Sequence, residues 1–330
     1  AVFFIFLPPL LYLDAYNTSW RQLKAVGELV TIQAVGLVLA TVGAVALAIH
    51  TVVPGIPWTA ALAFGAIVSP TDAVAASAIA KEVKLPKRLM EIIKGESLTN
   101  DATGLVAYQF AVAAVVTGAF SLQEAGTRFL YVAIGGIIVG LATGFILVRL
   151  RTRLEHKPVE IIVSLLSPFI AYLTAEHLHV SSVLSVVTAG LMLGWRSPLM
   201  HGSTTRLHAT ANWETIAYLL NGFSFLLMGL QLRPILETVK AYPAPQLVLW
   251  TATAALAPLA IRFVWTFTVG PLYNYLRKHQ QPSWKHLFVF SWSGMRGVVS
   301  LAAALALPLT CSNGQAFPFR DLLIFLTIAV

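Results

Sequence analysis

Charge is scarce in this chain. Asp, Glu, Lys and Arg make up 11% of its 330 residues, against about 25% in a soluble domain, too few to cover a water-facing surface. Cysteine is nearly absent: Cys311 stands alone, which excludes a disulfide framework and a Cys-based metal cluster. The chain has no phosphate-binding glycine loop, no zinc-ligand spacing and no Ser-His-Asp arrangement. Nothing in it calls for an enzyme or a cofactor. A net charge of +8 would suit a nucleic acid, but the basic residues fall between apolar runs, where they mark topology.

Apolar residues make up 57% of the chain, and they are gathered into long runs. A bilayer crossing takes about 20 mostly apolar residues. Eleven candidate spans follow, at 1–16, 27–50, 58–80, 97–119, 127–148, 159–178, 181–195, 213–232, 246–273, 285–308 and 320–330. Lys and Arg crowd into alternate connections: Lys81, Lys84, Lys87, Arg88 and Lys94 lie in the third, and Arg149, Arg151, Arg153 and Lys157 in the fifth. Arg128 is alone in the fourth. The positive-inside rule then puts the odd connections in the cytoplasm. The expected class is an all-α polytopic membrane protein. The chain opens at Ala1 inside one apolar run and ends at Val330 inside another, as expected of a segment of a longer protein.

Two basic residues, Arg262 and Arg296, fall inside spans. An arginine at membrane depth is costly unless paired or watered, which makes both functional candidates. Two spans also carry breaks. In the third, WTAALAFGAIVSPTDAVAASAIA, Pro70 removes a backbone donor and Thr71 and Asp72 follow. In the tenth, LFVFSWSGMRGVVSLAAALALP, Gly294, Arg296 and Gly297 sit at the middle. Unwound backbone at that depth survives only inside protein or along a watery cavity. A pair of interrupted helices in corresponding halves points to a transporter's ion site. These two stand seven spans apart, the odd lag that an inverted repeat requires.

The stretch GESLTND at 95–101 places Glu96, Asn100 and Asp101 where the fourth span is expected to begin. Helical i, i+4 spacing puts Ser97 and Asp101 on one face and Glu96 and Asn100 on another. Asp101 and Ser97 can offer oxygens to a hard cation, with backbone carbonyls at the Thr71 break completing the shell. Glu96 is the natural partner for Arg262, which leaves Asp101 for the ion.

These motifs resemble the monovalent cation:proton antiporter family, the superfamily of the sodium/proton exchangers. GESLTND at 95–101, SPTDAVA at 69–75, FFIFLPPLLYLDA at 3–15, SGMRGVVSLAAALALP at 293–308 and NGFSFLLMGL at 221–230 each match a family element, in order. The resemblance implies an inverted-repeat fold with two crossed discontinuous helices. It also implies ion-binding core elements near 58–119 and 246–330, and a dimerisation scaffold near 1–50 and 159–232. Further helices before the chain and a tail after it are implied too. By the same resemblance Asp101 carries ion and proton, while Asp72, Ser97, the Thr71 backbone and Asn100 support it. Glu96 and Arg262 form a structural ion pair, Arg296 balances helix-end dipoles, and Asp14 lies near the ion path.

The function so implied is electroneutral exchange of one cation for one H+, with Asn100 standing where electrogenic relatives carry a second Asp. Na+ is the expected cargo and K+ or Li+ the alternative. The carrier is expected to be a homodimer in the lipid bilayer of a cell membrane, a bacterial inner membrane, with no nucleic acid involved. Competition supplies the coupling: burial favours a protonated carboxyl, and oxygen ligands and water favour a charged one that holds a cation. Two rivals are weaker. An intramembrane aspartyl protease could use Asp72 and Asp101, but its Gly-x-Gly-Asp motif is absent. A channel would not need two opposed breaks in one chain.

Overall fold

A computed structural model describes residues 2–72, 87–118, 122–154, 156–200, 203–277, 283–312 and 314–330. The described residues are nearly all helical, without a β-strand; Thr310 and Ala316 make an isolated antiparallel bridge. In chain order the helices are α1 (Val2–Asn17), α2 (Trp20–Thr31), a π-helical turn (Ile32–Leu37), α3 (Val38–Val52) and α4 (Trp58–Val68). Then come α5 (Lys87–Thr117), α6 (Leu122–Arg151), α7 (Lys157–His177), α8 (Ser182–Met200) and α9 (Ser203–Val239). The last four are α10 (Ala244–Leu276), α11 (Trp284–Trp292), α12 (Val298–Leu305) and α13 (Arg320–Ala329).

Among the described residues, five stretches are long and apolar enough to cross a membrane: Gly27–Val52, Leu130–Arg151, Pro158–His177, Ala209–Val239 and Ala244–Leu276. That is fewer than the eleven runs read from the sequence. Helix α5 has 31 residues but is not among the five, because Glu96, Asn100 and Asp101 lower its hydropathy. The described part of the third span, Trp58–Val68, and the two helices of the tenth, Trp284–Trp292 and Val298–Leu305, are too short to qualify.

The chain folds as two compact units, Ala1–Lys24 with Phe120–Leu226, and Ala25–Ala119 with Leu227–Val330. Residues 25–50, grouped by the sequence reading with the scaffold, therefore cluster with 58–119. In the first unit α8 is the centre, packed by α1, α6 and α7. Its glycines allow this: a Cβ on Gly194 would run into the Tyr16 carbonyl of α1. Tyr12 is fully buried, with its ring 5.2 Å from that of Trp213. Trp213 donates Nε1–H to Ser164 Oγ at 3.0 Å. On the other side of α6, Leu130, Ile134 and Ile138 are exposed at helical spacing. A stripe this apolar suits contact with lipid rather than water.

The second unit is built on α3, α4, α5 and α10, with α3 against α4 and α10, and α4 against α5. Along α10 the residues Ala254, Pro258, Arg262, Thr266 and Gly270 are all buried. They repeat every fourth position, the stripe a helix turns inward.

Candidate functional site

The helical run that begins at Trp58 stops at Val68, and the backbone is non-helical from Ser69 to Asp72. Pro70 supplies the cause, since it cannot donate to the preceding turn. The second half of that span, residues 73–80, lies outside the described residues. The tenth span breaks in the same manner: α11 ends at Trp292, α12 starts at Val298, and Gly294–Gly297 is irregular. The two breaks touch. The Asp72 amide donates to the Met295 carbonyl at 2.7 Å. A Cβ on Gly297 would fall within 2.7 Å of Asp72 Cβ and Cγ, so only glycine permits this approach.

Helix ends inside a membrane leave carbonyls or amides without partners, and three described ends at the breaks meet a charge. Arg296 donates Nε–H to the Val68 carbonyl at 3.1 Å, closing the C-terminus of α4, and Nη1–H to the Gly294 carbonyl at 2.6 Å. Arg262 reaches the Phe290 carbonyl in the last turn of α11 at 3.3 Å. The Asp72 carboxylate lies beside Gly297, at the N-terminus of α12. Cations thus sit at C-terminal ends and an anion at an N-terminal end, the favourable sense of the helix dipole.

Helix α5 runs unbroken from Lys87 to Thr117. The GESLTND stretch is therefore mid-helix and not the helix start that the apolar run suggested. Lys87 to Lys94 extend the helix because KRLMEIIK consists largely of good helix formers. No residue of the stretch acts as an N-cap. Glu96, Ser97, Asn100 and Asp101 are all buried. Gly104, about one turn beyond Asp101, lets the first break approach: a Cβ there would lie 2.7 Å from the Pro70 ring.

Ser97 and Asn100, expected on different faces, both turn to Thr71, while Glu96 turns to Arg262. Glu96 meets Arg262 through both oxygens, at 2.5 Å to Nη1 and 3.0 Å to Nη2. Both side chains are almost wholly buried, at 1% and 3% exposure. The guanidinium also stands 4.9 Å from the Phe290 ring centroid. Ser97 donates to the Thr71 carbonyl at 2.7 Å, and Asn100 donates Nδ2–H to Thr71 Oγ1 at 2.7 Å. Thr71 is thereby held from both its backbone and its side chain. Asp101 follows Asn100 on the same helix, one turn from Ser97.

Of the residues singled out from the sequence, Thr71, Asp72, Glu96, Ser97, Asn100, Asp101, Arg262 and Arg296 share the second unit. Asp14 lies on α1 in the first unit and is exposed. Sequence reasoning missed the Phe290 and Val68 carbonyls, which carry no side-chain signal, and Gln33, a single amide in an apolar run. It also read Arg151 as a loop residue. Arg151 is 1% exposed in the last turn of α6, 3.8 Å from Glu160. Chemically, the breaks and α5 gather carboxylate, hydroxyl and carbonyl oxygens in a water-poor interior, the donor set of a hard cation. Among the described residues no cluster of His, Cys, Asp and Glu suits a resident metal.

Comparison with known proteins agrees in family. The model described as "Sodium/hydrogen exchanger, transmembrane" matches residues 1–330. A sodium, potassium, lithium and rubidium/H(+) antiporter of Bacillus pumilus (strain SAFR-032) is 37% identical over 342 residues, covering 99% of this chain and 51% of that protein. The Na(+)/H(+) antiporter ApNhaP of Aphanothece halophytica is 33% identical over 317 residues, covering 94% of this chain and 58% of that protein. The chain thus spans between half and two thirds of these relatives' length. Among solved structures, the sodium proton antiporter MjNhaP1 from Methanocaldococcus jannaschii at pH 8 matches with a TM-score of 0.79. It does so at 18% identity over 98% of this chain and 79% of that one, a likeness of fold alone.

Proposed function

This chain belongs to the sodium/hydrogen exchanger family, and from that premise we propose that it exchanges a monovalent cation, Na+ first, for H+ across a membrane. The observation that carries the reading is the contact between the two helix breaks, with Thr71 tied to Ser97 and Asn100 next to Asp101. Asp101 is the shared seat. It holds a proton or a cation in turn, and Ser97, Asp72 and the Thr71 backbone supply further oxygens for the cation. Either load leaves the seat near neutral. A bare carboxylate at mid-membrane costs roughly 2.5 to 3.5 kcal/mol or more, so the empty carrier is held back and the two fluxes are coupled. Asn100 adds no second charge, which makes the exchange one for one. Glu96 and Arg262 hold the fold around the seat, and Arg296 holds the end of α4.

The same reading takes the fold as an inverted repeat of eleven crossings with two crossed discontinuous helices, working by alternating access. It takes the assembly as a homodimer in a bacterial plasma membrane, with Asp14 near the ion path. K+ and Li+ are the other cargoes to test, since a relative's name includes both. The deciding experiment uses full-length protein in proteoliposomes with an imposed proton gradient and each alkali cation in turn. Asp101→Asn abolishes cation-dependent proton flux while the protein still inserts and melts as the parent does. Normal exchange by that variant overturns the assignment.

A further inference from the structure

One buried polar group of the second unit has no part in that scheme. Residues Ile32–Leu37 form a π-helical turn between α2 and α3. Such turns are rare and cluster at functional sites. This one carries Gln33, which is 3% exposed and whose side-chain carbonyl Oε1 has no hydrogen-bond partner among the described residues. The same is true of Asn100 Oδ1. Both side chains line one cavity of about 10 Å³, with Thr41, Ser69 and Arg296 also on its wall. That volume suits a single water.

Two acceptors facing a water-sized space require a donor with two hydrogens. The Asn100 amide is already committed to Thr71 Oγ1. A cation would satisfy two carbonyls as well, but the wall carries Arg262 and Arg296 against the single carboxylate of Glu96, which Arg262 already holds, and the net positive charge repels it. Water is the occupant that fits both charge and size. The π turn explains how Gln33 comes to face inward: one residue fewer would rotate its side chain by about 100° around the helix.

We propose that Gln33 is a positioning residue for the cation seat, acting through one trapped water that it shares with Asn100. The chain of bonds runs from Gln33 Oε1 through the water to Asn100 Oδ1, then from Asn100 Nδ2–H to Thr71 Oγ1. Ser97 completes it on the Thr71 carbonyl. The water fixes which way the Asn100 amide points, and so fixes the break at Thr71. This rests on the assignment of Asp101 made above.

The test uses full-length protein in proteoliposomes. Gln33→Met keeps length and bulk but has no oxygen acceptor. It raises the apparent KM for Na+ roughly five- to tenfold while kcat stays within about twofold. Asn100→Ala, which also loses the bond to Thr71 Oγ1, raises KM at least as much, and the double variant is no worse than Asn100→Ala alone, because Gln33 acts only through the water and Asn100. A packing role would instead add in the double variant and lower the melting temperature without moving KM. A parental KM in Gln33→Met, or additive losses, overturns the proposal. Should the variant fail to insert, a map of the parent protein that resolves ordered water decides. Density bridging Gln33 and Asn100 supports the proposal, and a chamber without it overturns it. Asp101→Asn in the same vesicles keeps the two ideas apart. Exchange by that variant sinks the seat, whereas its silence beside a normal Gln33→Met sinks only the role of Gln33.

Discussion

Each unit buries one arginine against one glutamate, and the two pairs are built differently. In the second unit the Arg262 fork meets both Glu96 oxygens at 2.5 and 3.0 Å and still reaches the Phe290 carbonyl. In the first unit Arg151 Nη2 lies 3.8 Å from Glu160 Oε1, with the Tyr12 phenol in electrostatic reach. The local reasons differ as well. Arg151 ends α6 and Glu160 sits in the first turn of α7, so each is stabilised by its own helix end before the other is counted. Glu96 sits in the middle of α5, where no helix end helps it. It depends on an arginine 166 positions away in sequence. Burial alone therefore does not tell what a charge is doing. The pair that spans the chain ties α5 to α10 and, through the Phe290 carbonyl, to the end of α11, and the pair that spans a short connection finishes two helices.

Removing one partner from each pair tests that difference. Glu96→Ala leaves a buried guanidinium alone and costs about 3–5 kcal/mol. A thermal melt reads the loss. The apparent KM for Na+ in the surviving protein moves far less, and a large affinity change with an unaltered melt would reverse the roles given to Glu96 and Asp101. Glu160→Ala costs less, about 1–3 kcal/mol, and leaves cation KM unchanged; altered exchange kinetics would show that the first unit's pair also governs transport. The smallest effect belongs to the exposed pair of Arg277 and Glu28, 2.7 Å apart with side chains 56% and 60% exposed. Glu28→Gln costs less than about 1 kcal/mol. The difference fades as salt is raised, and a melt series in increasing NaCl checks it.

Much of the site could be read from the sequence because its residue types are expensive or disruptive in a membrane. Pro70 and the Gly294–Arg296–Gly297 triplet announce breaks, and Glu96 and Arg262 each demand a partner. What stayed hidden has equally physical causes. The start of α5 was misplaced because apolar runs mark the bilayer, not the helix, and its first turns are charged. Arg151 was read as a loop residue because a basic residue at a span's end looks the same whether it faces water or α7. Gln33 gave no signal because a π turn leaves no composition behind.

The hydrogen bond from the Asp72 amide to the Met295 carbonyl has one further consequence. It stitches two distant stretches of main chain into a single cradle, so neither stretch can slide without dragging its neighbour. Under the exchange proposed above, a cradle carried whole would offer the cation the same oxygens at either side of the bilayer.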